Sequence, residues 1–269
     1  MTDIYPRQAV ILAAGFGSRL RPLTDLRPKP LVEVNGTPIL HNALRNLEMV
    51  GVEAVTIVVG YRKDAIEYSC GNCFGSLDIS YVESDVFDRT GSAYSLWLAR
   101  HALLMGDTYL LEGDVFFEPD ALHCLAISEA KNVAAVAPFG ASMEGSAVIL
   151  TDHGYIAEVR MGQTAANLTD GSPQLFKTIN LIRLSGEDLR TTIIPHLDAL
   201  IGAGAVKSYI EELLSQLVQQ KGLQIAAARC DDLKWYEIDS EEDLLIAERI
   251  FAPEGLTAAR PLVASGSKG

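Results

Sequence analysis

The sequence predicts an α/β fold: a doubly wound, mostly parallel Rossmann-like sheet carrying a smaller insertion. Three observations point to it. Continuous apolar runs at residues 8–14 and 54–59 have the length and composition of strands buried on both faces. These runs alternate with segments of helical period, and such alternation builds βαβ units on a parallel sheet. The chain has 269 residues, 48% of them hydrophobic, enough for one large domain whose core needs no metal or disulfide staple.

Each element follows in turn. Residues 8–14 form a strand that runs into a loop at Gly15. Across residues 38–50, Ile39, Leu40, Ala43, Leu44, Leu47 and Val50 fall on one helical face. A second buried strand at 54–59 precedes a short helix at 64–68, and residues 78–82 alternate as a strand. Residues 92–104 read as a helix with Leu96, Trp97, Ala99, Ala102 and Leu103 inward, and 108–111 as a strand stopping at Glu112-Gly113-Asp114. From about 141 to 184 the pattern turns to short strands with glycine-rich breaks, followed by helices at 187–201 and 208–219. This is read as an insertion, 141–220, lying over the rim of the sheet. Residues 223–228 and 235–238 return to the main sheet, 241–251 make a closing helix, and 252–269 a flexible tail, so the domain runs over 1–251. Ligands of open parallel sheets bind beyond the carboxyl ends of the strands. That rule puts the Gly15 loop, the segment from Glu83 to Ser92 and Asp114 on one rim.

Charge narrows the partners. Lys and Arg number 22 against 35 Asp and Glu, a net charge of −13 that would repel nucleic acid or an anionic membrane. An anionic small molecule needs only a local cluster of cations and N–H groups, so small-molecule substrates are expected. The N-terminus has no basic and apolar leader, and residues 9–14 are too short to span a bilayer, so a cytoplasmic location is expected. Oligomeric state leaves no signature. Cys70-Gly-Asn-Cys73 has the spacing of half a zinc site, but no second pair follows; with Cys124 and Cys230 these are read as ordinary thiols. The five histidines are scattered and read as structural or surface groups.

The chemistry begins at Leu12-Ala13-Ala14-Gly15-Phe16-Gly17-Ser18-Arg19-Leu20. Gly15 and Gly17 allow the backbone to approach a ligand closely and turn several N–H groups toward phosphate oxygens. Arg19 adds a planar cationic fork, and Lys29 a second cation on the proline-stiffened stretch Pro28-Lys29-Pro30. The loop is not a Walker P-loop, having no Gly-Lys-Ser/Thr, nor a dinucleotide fingerprint, lacking the third glycine. Gly-x-Gly alone would mark no more than a tight turn.

The longer string AVILAAGFGSRLRPLTDLRPKPLVEVNGTPIL closely resembles the N-terminal signature of the nucleoside-triphosphate transferases, which make NDP-sugars, CDP-choline and related activated compounds. The resemblance implies that Leu12, Ala13, Ala14, Gly15, Gly17 and Ser18 clasp the triphosphate, while Arg19 and Lys29 take the catalytic roles at the leaving pyrophosphate and the reacting phosphate. It also implies a magnesium-binding Asp just after a strand, the position of Asp114 in LEGDV. Asp114 by itself would pass for a helix cap or a solvated turn. In Trp235-Tyr236-Glu237-Ile238-Asp239, alternation sends Glu237 and Asp239 to one side, suiting further ligands of a hard cation such as Mg²⁺. Asp239 or Ser240 would equally cap the following helix, and both roles are compatible.

The downstream segments select a branch. KWYEIDSEEDLLIAERIF resembles the cytidylyltransferases that act on phosphocholine and on phosphonates such as 2-aminoethylphosphonate, and Phe176-Lys177-Thr178-Ile179-Asn180-Leu181 resembles the phosphonate enzymes in particular. The Trp-x-Asp-x-Gly-Thr and Glu-Lys-Pro motifs of the sugar-nucleotide branch are missing. The implied substrates are CTP and a small phosphorylated or phosphonate acceptor. Glu83, Gly91 and Ser92 are assigned to the nucleotide, and Tyr94, Lys177 and Asn180 to the acceptor, the latter two within the insertion. Tyr94 is an aromatic wall for an ammonium group; Trp97 at helical spacing reads as core, and Glu112 or Glu211 could meet an amine. Two other readings stand beside this one: a sugar-1-phosphate nucleotidyltransferase using UTP, dTTP or GTP, and a catalytically silent nucleotide-binding regulator. The four intact charges Arg19, Lys29, Asp114 and Asp239 speak against silence.

Overall fold

A computed structural model describes residues 5–169 and 171–253; all but the first two residues of the expected tail lie outside them. The first strand, β1 (Gln8–Ala13), is central, and its alternation explains the layers. Ala9, Ile11 and Ala13 face a core shared with Leu40, Leu44 and Leu47 of the helix Ile39–Met49. Val10, Leu12 and Ala14 face the opposite core, shared with Leu96 of the helix Ser92–Leu98 and Ile210 and Leu213 of the helix Ile210–Lys221. A strand buried on both sides has to be apolar, and this one is from Ala9 onward.

After β1 come two short pairing strands, β2 (Glu33–Val34) and β3 (Thr37–Pro38), then β4 (Ala54–Val59), β5 (Cys73–Phe74), β6 (Leu77–Glu83) and β7 (Thr108–Glu112). The order β7-β1-β4-β6 is parallel throughout, with β1 in register against both neighbours. The parallel block is thus the predicted one, and its strand starts agree with the apolar runs to within a residue.

The chain from 115 to 140 held elements that the sequence reading passed over: β8 (Val115–Phe117), the helix Asp120–Ala126 and β9 (Val133–Pro138). Residues 141–220 add β10 (Gly145–Leu150), β11 (Ile156–Gln163) and β12 (Phe176–Leu184). Expected over the rim, these strands instead extend the main sheet, because β12 pairs antiparallel with β7 and with β9, and β10 lies between β12 and β11. Of the two last strands, β13 (Ala226–Arg229) joins the main sheet beside β9, as expected. The other, β14 (Trp235–Glu237), does not; it pairs antiparallel with β8 in a separate two-stranded ribbon. The predicted helix 92–104 breaks at Ala99 into Ser92–Leu98 and Arg100–Leu103. Among the described residues no helix is long and apolar enough to cross a membrane.

Candidate active site

The carboxyl ends of β1 and β7 open onto a cleft of about 370 Å³. Its floor is Leu12 to Gly15, its sides Gly17, Ser18, Arg19, Lys29 and Pro30 on one hand and Phe87, Thr90, Gly91, Ser92 and Ser95 on the other. Glu112, Gly113, Asp114, Tyr209, Glu211 and Asp239 complete it. The glycine loop is held open by its neighbours: Tyr61 N–H donates to the Ala14 carbonyl (3.0 Å), and Thr24 Oγ1 donates to the Gly17 carbonyl (2.9 Å). Gly17 has φ of 65°, and a Cβ there would sit 2.8 Å from Lys29 Cβ, so this position excludes any side chain. At Gly15 nothing lies within 4 Å of an added Cβ, which leaves the loop backbone open to the cleft.

Lys29 organises the charges. Its ammonium donates to Asp114 Oδ2 at 3.0 Å and to Asp239 Oδ1 at 2.6 Å, while Arg19 reaches Asp239 Oδ2 at 2.9 Å. The two aspartates come from distant parts of the chain, brought together by the β8–β14 ribbon, at whose end Ile238 N–H donates to the Asp114 carbonyl (2.9 Å). Burial alone would lower the pKa of Lys29, but the two carboxylates outweigh it and the net effect is a raised pKa. For Asp239 burial acts to raise the pKa, yet Lys29 and Arg19 prevail and hold it below the ordinary value. Ser240 caps the helix Glu241–Ile250 through the Asp243 N–H (3.2 Å), so the cap and the ion pair fall on adjacent residues.

Behind this centre lies a second pair. Lys177 is buried, 4% exposed, and its ammonium contacts Glu237 Oε2 at 2.7 Å. Asn180 Nδ2 donates to Glu237 Oε1 at 3.3 Å, from a bulge in β12 where Asn180 itself has φ of 59°. Lys177 is therefore no solvated strand lysine. Glu237 is also no free ligand: both its oxygens are engaged, and burial, followed by the nearby Asp114, raises its pKa. Among the described residues no three His, Cys, Asp or Glu side chains are arranged to hold a metal ion. What fits a hard divalent cation is narrower. Asp114 Oδ1 is buried without a hydrogen-bond partner, and Asp239 lies across Lys29 from it.

Other expected residues lie elsewhere. Glu83, at the end of β6, pairs with Lys63 at 2.6 Å and does not line the cleft. Tyr94 also lies off the cleft lining, its ring 5.4 Å from that of Trp97. Trp97 is only partly buried, donating to Asp198 at 2.8 Å and carrying Arg100 over its face. The aromatic residues that do line the cleft are Phe87 and Tyr209, which the sequence reading did not select. Tyr209 announces itself only as an exposed aromatic just before a helix whose third residue, Glu212, returns a bond to the Tyr209 N–H (3.2 Å). The four cysteines are all free, Cys70 and Cys230 buried and Cys73 exposed.

A glycine loop between strand and helix, a lysine bridging two aspartates, and an open rim above a parallel sheet define a phosphate-handling α/β protein. Residues 8–156 match the Nucleotidyl transferase family, and the chain belongs to it. Among proteins of assigned activity it is 36% identical over 252 residues to CMP-5'-(3-aminopropyl)phosphonate synthase of Streptomyces rubellomurinus, a match spanning 93% of this chain but 40% of that protein. A shorter match, 36% over 112 residues, covers 40% of this chain and 42% of the 2-aminoethylphosphonate cytidylyltransferase of Lancefieldella rimae. The chain thus spans less than half the length of either relative. Among solved structures, the CTP:phosphocholine cytidylyltransferase of Streptococcus pneumoniae superposes with a TM-score of 0.71 at 22% identity, over 90% of this chain and 98% of that one. That likeness establishes the shared fold.

Proposed function

We propose that the protein is a Mg²⁺-dependent cytidylyltransferase that transfers CMP from CTP to a small phosphonate acceptor and releases pyrophosphate. The observation that carries the reading is the 252-residue match to a CMP-phosphonate synthase, which spans 93% of the chain and so includes the Lys177 and Asp239 segments. The cleft geometry supports it. Backbone N–H groups from Ala14 to Ser18 suit the triphosphate, and Arg19 at the mouth suits the departing pyrophosphate. Lys29 would stabilise the negative charge that builds as an acceptor oxygen attacks the α-phosphorus in line and the bond to pyrophosphate breaks. A phosphonate oxygen is already anionic, so the step needs no general base.

Asp114 and Asp239 would hold the Mg²⁺, with substrate oxygens and water completing its shell, as is usual for an ion that keeps few protein ligands. Bound there, the ion would supply charge neutralisation between two anionic substrates. Glu237 would act by holding Lys177 in place for the acceptor's phosphonyl group. Pyrophosphate release measured with CTP, UTP, ATP, GTP and dTTP against 2-aminoethylphosphonate, phosphocholine and glucose-1-phosphate tests the reading. Preference for CTP with the phosphonate is expected; faster turnover of UTP or dTTP with the sugar phosphate would replace it by the sugar-nucleotide reading.

A further inference from the structure

The charges of the cleft do not balance on one side. Lys29 is matched by Asp114 and Asp239, and Lys177 by Glu237. Among the described residues the side chain of Glu112, at the end of β7, has no hydrogen-bond or ion-pair partner, and that of Glu211, on the first turn of the helix Ile210–Lys221, contacts only Ser146 Oγ at 3.3 Å. Glu112 and Glu211 line both the cleft and a smaller apolar hollow adjoining it, walled by Ile156, Val159, Ile182 and Leu214. Tyr209, 59% exposed, stands beside Glu211 on the cleft wall.

Glu112 is only partly exposed, and a half-buried carboxylate with no cationic partner is costly and persists where a ligand supplies the missing group. Here the missing group is a cation with N–H donors, at the end of a short apolar chain. Resting on the cytidylyltransferase reading above, we infer that Glu112, Glu211 and Tyr209 form a socket for the primary ammonium of an ω-aminoalkylphosphonate. The two carboxylates accept its N–H bonds, and the tyrosine ring offers its face. A trimethylammonium, which has no N–H to give, satisfies neither glutamate. The socket belongs to the insertion and to β7 together, because Glu211 and Tyr209 are fixed to the nucleotide side by backbone bonds. Gly91 N–H donates to the Val206 carbonyl (2.9 Å), Ala93 N–H to the Ser208 carbonyl (3.1 Å), and Ile210 N–H to Ser92 Oγ (3.0 Å).

The test compares kcat/KM for 2-aminoethylphosphonate and for ethylphosphonate, with CTP saturating, in the wild-type protein and in Glu211→Gln and Glu112→Gln. The wild type is expected to favour the amine by roughly tenfold to a hundredfold, the worth of one or two charge-assisted bonds. In Glu211→Gln that ratio should fall by about tenfold or more. Glu112→Gln should lower it as well; a melting curve on each variant confirms that it is folded. A wild-type ratio near one, or a ratio that survives both substitutions, overturns the socket. Equal use of phosphocholine and 2-aminoethylphosphonate also overturns it. Failure of every phosphonate with CTP is a different result, and it overturns the cytidylyltransferase reading itself.

Discussion

Lys29 is where the sequence motif and the site geometry meet most directly. Its ammonium stands between two aspartates as a cation would, so removing it leaves Asp114 and Asp239 facing each other. In Lys29→Met, activity should fall by about a hundredfold to a thousandfold, the usual loss when one preorganised charge is removed from a transition state. The same variant should gain more melting temperature from millimolar Mg²⁺ than the wild type does, since the ion can then take the vacated place between the carboxylates. Melting curves with and without Mg²⁺ read this directly; no gain from Mg²⁺ in either protein would show that the two aspartates do not bind the ion. Lys177→Met should raise the acceptor KM by about tenfold or more and change the CTP KM less, and steady-state kinetics with each substrate varied in turn separates the two. The thiols give a test away from the site. Burial pushes Cys70 and Cys230 up to about 12, so their thiolate fraction at pH 8 is only about one part in ten thousand. A maleimide should therefore label exposed Cys73 rapidly in the native protein and leave Cys70 and Cys230 until denaturant is added; mass spectrometry of the labelled peptides decides it.

At the scale of elements, what was legible followed from local pattern. The strands β1 and β4 are nearly continuous apolar runs, the mark of a strand buried on both faces, and β6 alternates as a half-buried strand does. The glycine loop of the cleft was legible because Gly17, Arg19 and Lys29 all lie within one short stretch. The β8–β14 ribbon was not, because its two strands are three residues each and are separated by more than a hundred positions. The placement of β10 to β12 in the main sheet was equally hidden: antiparallel pairing of β12 with β7 depends on contacts that no single segment records. Tyr94 was misjudged for a related reason. It sits close in sequence to Gly91, but one helical step turns it toward Trp97 instead of the cleft. The join between loop and insertion is a second element-scale feature. A Cβ on Gly91 would lie 2.2 Å from the Ser208 carbonyl oxygen and 2.5 Å from that of Lys207. Gly91→Ala should thus push segment 206–210 off the nucleotide loop, destabilise the fold by about 1–3 kcal/mol, and weaken nucleotide binding. Chemical denaturation and nucleotide titration test it, and wild-type values for both would show that the contact is dispensable.

For the whole molecule, two cores on the two faces of one sheet fix the strand ends, and the strand ends fix the rim. A chain of net charge −13 sets Arg19 and Lys29 in the cleft and Lys177 buried behind it, each paired with a carboxylate. In the proposed reaction CMP is joined to the phosphonate oxygen of an aminoalkyl acceptor. Phosphorus-31 NMR of the protein with CTP, Mg²⁺ and 2-aminoethylphosphonate follows every phosphorus at once. The expected result is loss of the CTP β and γ signals to pyrophosphate, with a new pair of mutually coupled doublets from a P–O–P bond between CMP and the phosphonate. Unchanged phosphonate and intact CTP, under conditions where UTP and glucose-1-phosphate are consumed, would contradict it.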